Sequence, residues 1–148
     1  MKKFSFSLEA VHRFKGQILD SLLNEMAIIS AEVIKQEKVI QTKNDIYKQS
    51  NCEFNEKNRI GMTILEITYR KEYLKRLQKE IELEEQKLEQ LRATLEAKKA
   101  EVVEARKENL SLEKLKEKKL EEYNAMVAKT EETVVEEFVV NSMTAAKR

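Results

Sequence analysis

Few residues in this sequence carry the side chains that catalysis or metal binding requires. His12 is the only histidine and Cys52 the only cysteine, and we expect them near opposite ends of one helix, where they cannot form a Cys–His pair. The glutamates show no calcium-loop or zinc-ligand spacing, and the two glycines build no phosphate loop. The sequence therefore predicts no catalytic, metal or cofactor site. We interpret His12 as a helix-packing residue and Cys52 as an incidental thiol.

Two charged segments have the composition of a partner-binding surface. In residues 113–119 acidic residues interleave the lysines, which favours a solvated helix face over a nucleic-acid patch. Residues 130–146 contain four glutamates and no basic residue. On a helix we expect the four to share one broad side with neighbouring apolar residues, as a docking surface for a basic partner or as a simply solvated end. The glutamates are Glu131, Glu132, Glu136 and Glu137, and the apolar neighbours are Val134, Val135 and Phe138.

The composition is that of long helices. Ala, Glu, Lys, Leu and Arg make up just over half of the 148 residues, and the chain has no proline and two glycines. A sheet protein needs turn residues about every ten positions, and they are missing here, so all-β and α/β folds are excluded. Regular apolar spacing argues against disorder, although 37% of the residues are charged.

Composition also limits the compartment and the partners. The apolar runs reach three or four residues, against about 20 for a membrane span, and charges interrupt any signal-peptide core near the N-terminus. A single cysteine fits a reducing cytoplasm. The net charge of +1 argues against field-driven binding of nucleic acid. We expect a cytoplasmic protein that binds neither nucleic acid nor a small-molecule substrate.

Heptad spacing predicts a first helix over about residues 7–57. Ser7 is the expected N-cap, with Phe6 and Val11 in the positions of a hydrophobic staple. Apolar residues beside the heptad a positions make the apolar face of this helix wider than a two-position coiled-coil seam. The helix therefore requires a broad neighbour on one side. The heptad a positions are His12, Leu19, Met26, Val33, Ile40, Tyr47 and Phe54.

A turn is predicted at about residues 58–63, followed by a second helix over about 64–144. Gly61 supplies the positive φ of a helix end, and Thr63 with Glu66 forms a Thr-x-x-Glu capping box. The second helix is the longer one, and it carries a continuous heptad column. The column is Leu74, Leu77, Ile81, Glu84, Leu88, Leu91, Leu95, Lys98, Val102, Ala105, Asn109 and Leu112.

The predicted fold class is all-α: one coiled-coil domain over residues 1–148, forming an antiparallel two-helix hairpin with a longer, overhanging C-terminal helix. Residues 120–144 overhang the first helix, and their apolar stripe is either frayed or an interaction site. A parallel homodimeric coiled coil, acting as a structural scaffold, stays open as an alternative, as does a coiled-coil substrate chaperone. The hairpin requires a monomer with a break near Gly61, whereas the dimer requires helix straight through it.

Over nearly its whole length the sequence resembles the FliJ family of flagellar export proteins. Five patterns carry the resemblance through their order, spacing and total length. They are Phe4-x-Phe6-x-Leu8-x-x-Val11, Gly61-Met62-Thr63-Ile64-x-Glu66, the set Tyr69, Tyr73, Leu77 and Ile81, the run Leu115-Lys116-Glu117-Lys118, and Glu136-Glu137-Phe138.

The resemblance implies a non-enzymatic component of the flagellar type III export apparatus, cytoplasmic and peripheral to the inner face of the cell membrane. Members of the family are stalk-like coiled coils that insert into the hexameric export ATPase and promote its assembly and activity. They also link the ATPase to the cytoplasmic region of the export gate and bind export chaperones. The resemblance implies no cofactor and a monomer in isolation.

The same resemblance implies two contact regions. The gate contact is expected on the exposed side of the early second helix, at Tyr73 and Leu77, although Glu80 and Glu84 depart from the smaller or neutral residues of the family pattern. The ATPase contact is expected at the end that carries both termini. Its candidate residues are Phe4, Phe6, Tyr123, Val127, Glu131, Val134, Glu137 and Phe138.

Overall fold

The structure is a computed structural model that describes residues 3–146, and these residues form two α-helices and no strand. Helix α1 spans Glu9–Ile60 and helix α2 spans Ile64–Ala145. The helices pack against each other, and the second is the longer, with 82 residues against 52. The predicted all-α hairpin is confirmed. Within residues 3–146, neither helix contains a stretch with the length and apolarity of a membrane span.

The turn between the helices is built by Gly61 and a capping box. Gly61 has a φ of 126°, and its N–H donates to the Lys57 carbonyl oxygen at 2.9 Å. The Glu66 N–H donates to Thr63 Oγ1, and the Thr63 N–H donates to Glu66 Oε2, each at 3.3 Å. The predicted turn chemistry is confirmed. The alternative of one nearly continuous helix is wrong, because α1 ends at Ile60 and a separately capped helix begins after Thr63.

Helix α1 begins two residues later and ends three residues later than the sequence predicts. Ser7 lies in a turn before the helix, and the His12 N–H donates to the Leu8 carbonyl oxygen at 2.8 Å. Leu8, not Ser7, therefore occupies the N-cap position. At the other end, the asparagine-rich residues stay helical because Phe54, 9% exposed, anchors this part of α1 in the core.

Contacts divide the chain into two compact units. The turn unit is Ser21–Val102, and the terminal unit combines Met1–Asp20 with Val103–Arg148. In the turn unit, Val33 and Ile40 of α1 pack with Leu88 of α2, and Leu91 and Leu95 flank this cluster. Every residue of the predicted α2 heptad column is buried or half-buried, so the interpretation of that column as the packing seam is confirmed.

Polar side chains complete the turn unit's seam where apolar residues are missing. Glu84, on the α2 column, accepts a hydrogen bond from Gln36 Nε2 and lies 3.4 Å from Lys43 Nζ. Lys98, on the same column, pairs with Glu25 at 2.8 Å. Residue numbers therefore fall along α1 as they rise along α2, which is an antiparallel pairing.

The terminal unit pairs the beginning of α1 with α2, also antiparallel. Lys15 Nζ lies 2.6 Å from Glu108 Oε2, and Lys116 Nζ lies 2.8 Å from Glu9 Oε2. The hydrogen bond from Lys116, more than its charge, lowers the pKa of the Glu9 carboxyl below its ordinary value. These contacts hold the first turns of α1 against α2.

Candidate functional site

The last part of α2 has no helix beside it. From Ala128 to Ala146 every side chain is exposed, whereas Tyr123 and Val127 just before are half-buried. We call residues 128–146 the C-terminal segment. It carries six large apolar side chains that are 47–74% exposed. They are Val134, Val135, Phe138, Val139, Val140 and Met143.

One face of this segment continues the packed face of α2. Tyr123, Val127, Glu131 and Val134 follow each other at spacings of four, four and three, so they lie along one side of the helix. A shallow groove is lined by these residues together with Thr130 and Val135. The groove places an apolar floor beside a carboxylate, which suits a partner that presents apolar and basic groups together.

The sequence interpretation expected the four glutamates to share one broad side of the helix, and they do not. At about 100° per residue, Glu136 lies about 140° around the helix from Glu131, and Glu137 lies about 120° away in the other direction. The apolar residues are spread similarly, with Val134 near Glu131 and Met143 near Glu136. Because the whole segment is helical and exposed, acidic and apolar groups surround it on every side.

The residues before α1 lie against α2 and shorten its overhang. Residues 3–6 are not helical, and the Phe4 ring centroid lies 5.6 Å from that of Tyr123 with the planes tilted by 54°. Phe6 is 7% exposed. The sequence interpretation placed the start of the overhang at Leu120. The structure places it at Ala128, because this N-terminal stretch covers Tyr123.

The eight candidate ATPase residues therefore fall into two groups. Phe4 packs on Tyr123 in the terminal unit, and both line a groove together with Phe6, Lys119 and Met126. The remaining five continue along α2, from the half-buried Val127 into the fully exposed C-terminal segment. They are Val127, Glu131, Val134, Glu137 and Phe138.

The two candidate gate residues have different environments. Tyr73 is 39% exposed and lines an open groove with Tyr69 and Arg70. Leu77 is 8% exposed and belongs to the core, so its expected place on the exposed side of α2 is wrong. The cause is its position in the heptad column, which points it toward α1. Glu84 also turns inward, where it pairs with Lys43.

The polar residues with potential for chemistry belong to different units. His12 Nε2 lies 3.8 Å from Glu113 Oε1 in the terminal unit, and Cys52 is an exposed free thiol in the turn unit. Among residues 3–146, no group of three or more His, Cys, Asp or Glu side chains is arranged to hold a metal ion.

Sequence reasoning missed an apolar surface at the turn. Ile60, Ile64, Leu65 and Tyr69 are 79%, 84%, 81% and 72% exposed, and we call these four residues the turn patch. Their signal was present in the sequence as large apolar residues around Gly61 that fall outside the heptad columns.

Comparisons with known proteins give one match. A family model for the flagellar FliJ protein matches residues 4–148, which is nearly the whole chain. No curated protein and no solved structure matches it. The family match agrees with the resemblance found in the sequence. The chain therefore belongs to the FliJ family and is a component of the flagellar protein export apparatus.

Proposed function

We propose that this chain is a non-enzymatic stalk of the flagellar type III export apparatus that binds the hexameric export ATPase through its C-terminal segment. Binding promotes assembly and activity of the hexamer. The chain also links the ATPase to the cytoplasmic region of the export gate and to export chaperones. It is monomeric in isolation and works in the cytoplasm, peripheral to the inner face of the cell membrane.

The observation that carries this proposal is that every side chain of residues 128–146 is exposed in a helix that keeps its apolar side chains. A single helix in water gains little stability without packing of an apolar face. Exposed apolar residues also lower solubility unless a partner covers them. The C-terminal segment is therefore better explained as one half of an interface than as a solvated end.

The distribution of its side chains supports a partner that surrounds it. Glu131, Glu136 and Glu137 point in directions separated by more than a right angle, and apolar residues lie between them. A flat partner would contact the side chains on one side of the helix, whereas a ring of subunits contacts the side chains on all sides. Residues 128–145 reach about 27 Å along the helix axis, which is enough to enter the central opening of a hexamer.

A second contact is proposed at the groove beside Tyr73. Tyr69, Tyr73 and Arg70 line it, and this combination of aromatic and guanidinium groups is common in protein interfaces. Leu77 contributes to this contact indirectly: its buried side chain fixes the orientation of α2, which keeps Tyr73 on the surface. We assign this groove to the export gate.

Deletion of residues 130–148 tests the main proposal. The truncated chain retains the buried residues of both helices, since every side chain of residues 128–146 is exposed, and its thermal melting should be close to that of the full chain. We expect stimulation of the purified export ATPase to be abolished. If the truncated chain stimulates the enzyme fully, the C-terminal segment is not the ATPase contact.

Matched substitutions separate a specific contact from general loss of apolar surface. We expect Val134→Ser with Phe138→Ser to reduce ATPase stimulation. The control, Ile28→Ser with Ile34→Ser, removes side chains that are 62% and 52% exposed in the turn unit and should leave stimulation unchanged. Replacing the four glutamates with Gln should weaken stimulation most at low salt, where charges are least screened. Equal effects of the two serine pairs would contradict the proposal.

A further inference from the structure

The turn patch is a second apolar surface that the proposed ATPase contact leaves unused, and of its four residues only Tyr69 also lines the groove assigned to the gate. Ile60 at the end of α1 and Ile64 and Leu65 at the start of α2 project from a convex turn, about 80% exposed. Tyr69 lies one helical turn beyond Leu65 on the same side of α2. A convex tip cannot receive a partner helix as a groove does, so it fits a partner that is concave or that deforms around it.

Basic residues accompany the turn patch. Residues 57–76 contain six basic and two acidic residues, a net charge of +4 in a chain whose total is +1. Within the described part of the chain none of the six forms an ion pair, although lysines elsewhere on both helices do. They are Lys57, Arg59, Arg70, Lys71, Lys75 and Arg76. Of the two acidic residues, Glu66 is engaged by the Thr63 N–H in the capping box.

Part of the backbone at the turn is hydrogen-bonded within the turn. The N–H groups of Gly61, Thr63 and Glu66 have acceptors there. Side chains of a helix lean toward its N-terminus, so Arg70 and Lys71 on α2 lean toward the turn. The turn end therefore combines protruding aliphatic groups with two basic side chains of α2 that lean toward them.

We propose that the turn end of the hairpin binds the surface of an anionic lipid bilayer. Ile60, Ile64 and Leu65 enter the boundary between headgroups and acyl chains, Tyr69 lies at the headgroup level, and the basic residues contact lipid phosphates. Charge complementarity favours this partner over a second copy of the chain, because pairing two turn ends would bring the unpaired basic residues together. An acidic protein shares part of this chemistry and is distinguished by the test.

The test is co-sedimentation of the full chain with lipid vesicles. We expect binding to vesicles of phosphatidylcholine and phosphatidylglycerol at about 7:3, little binding to phosphatidylcholine alone, and weakening by salt. The triple variant Ile60→Ser, Ile64→Ser, Leu65→Ser should bind at least about tenfold less well, because the inserted apolar area is lost. The triple variant Lys57→Gln, Arg59→Gln, Lys71→Gln should lose the preference for anionic vesicles.

The control variant Val134→Ser, Val135→Ser, Phe138→Ser removes three similarly exposed apolar residues from the C-terminal segment and should bind vesicles as the native chain does. Circular dichroism checks that each variant stays helical. The chain has no tryptophan, so Leu65→Trp gives a second readout, a blue shift of emission with anionic vesicles. Val135→Trp should show none.

Three results would overturn the proposal. The first is absence of binding to anionic vesicles, which is the outcome for an acidic protein partner. The second is equal binding by the turn and control variants. The third is a concentration-dependent dimer that the turn substitutions abolish. The experiment contains neither the export ATPase nor the export gate, and it does not rest on the ATPase contact. Its failure would leave that proposal intact, and failure of the ATPase test would leave this one intact.

Discussion

Glu84 shows how a charged residue is accommodated at a packing position. It lies on the α2 heptad column, where it accepts a hydrogen bond from Gln36 and faces Lys43 and Lys87. The Gln36 hydrogen bond, followed by those from the two lysines and opposed by partial burial, lowers the pKa of the Glu84 carboxyl from its ordinary value of 4.5. The ionised form is therefore favoured more strongly in the folded chain than in the unfolded one.

This shift predicts acid sensitivity of the hairpin. A carboxyl with a lowered folded pKa contributes stability in full above its unfolded pKa, and the contribution is lost as the pH falls through the folded value. Lowering the pH through and below 4.5 should therefore decrease the melting temperature of the native chain more steeply than that of Glu84→Gln. Thermal melts by circular dichroism across this range measure the difference. Parallel pH dependence of the two proteins would show that Glu84 does not titrate differently on folding.

At the scale of elements, the turn is the feature that separates one long helix from two. The capping box supplies acceptors for the Thr63 and Glu66 N–H groups at the start of α2. Gly61 reverses the chain at a φ that side chains rarely tolerate, with open space around its Cα. The double variant Thr63→Ala, Glu66→Ala should lower the free energy of unfolding by about 1 to 2 kcal/mol, because the loss of an N-cap costs about that much.

Urea denaturation measures this effect. A matched pair, Thr94→Ala with Glu96→Ala, removes the same residue types from the exposed middle of α2 and should change stability by less than about 0.5 kcal/mol. ATPase stimulation at low temperature should survive both double variants, since neither touches the C-terminal segment. If the turn variant melts like the native protein, the capping box does not set the start of α2.

At the scale of the molecule, a hairpin closes within one chain. Lys98 pairs with Glu25 in the turn unit. Leu22, one turn before Glu25 on α1, and Val102, one turn after Lys98 on α2, are therefore expected at a similar height. Spin labels on cysteines at these two positions, in a Cys52→Ser background, should lie within about 20 Å, given helix axes about 8 to 10 Å apart. An uninterrupted helix of 80 residues would separate them by about 120 Å.

Dilution with unlabelled chain provides the control for this distance. If the two labels belong to one molecule, the distance distribution and the modulation depth per labelled chain stay unchanged on dilution. A contact between molecules weakens as unlabelled chain replaces the labelled partner. Loss of the short distance on dilution would contradict the proposed monomer.

Local chemistry and periodicity determined most of the fold from the sequence. The α2 column from Leu74 to Leu112, the turn at Gly61 and the Thr63–Glu66 box were all predictable, because each depends on spacing or backbone preference over a few residues. Periodicity also placed Leu77 in the packing seam. The family resemblance placed it on the surface, and the structure agrees with the periodicity.

Only the tertiary structure decided where the non-helical residues lie and which surfaces stay uncovered. Phe4 packs on Tyr123, and this contact moves the start of the exposed segment to Ala128. No local pattern predicts it, because the two residues are far apart in the sequence and the stretch before α1 has no helical periodicity. The turn patch depends in the same way on pairing: Ile64 and Leu65 stay exposed because the seam uses the opposite side of α2.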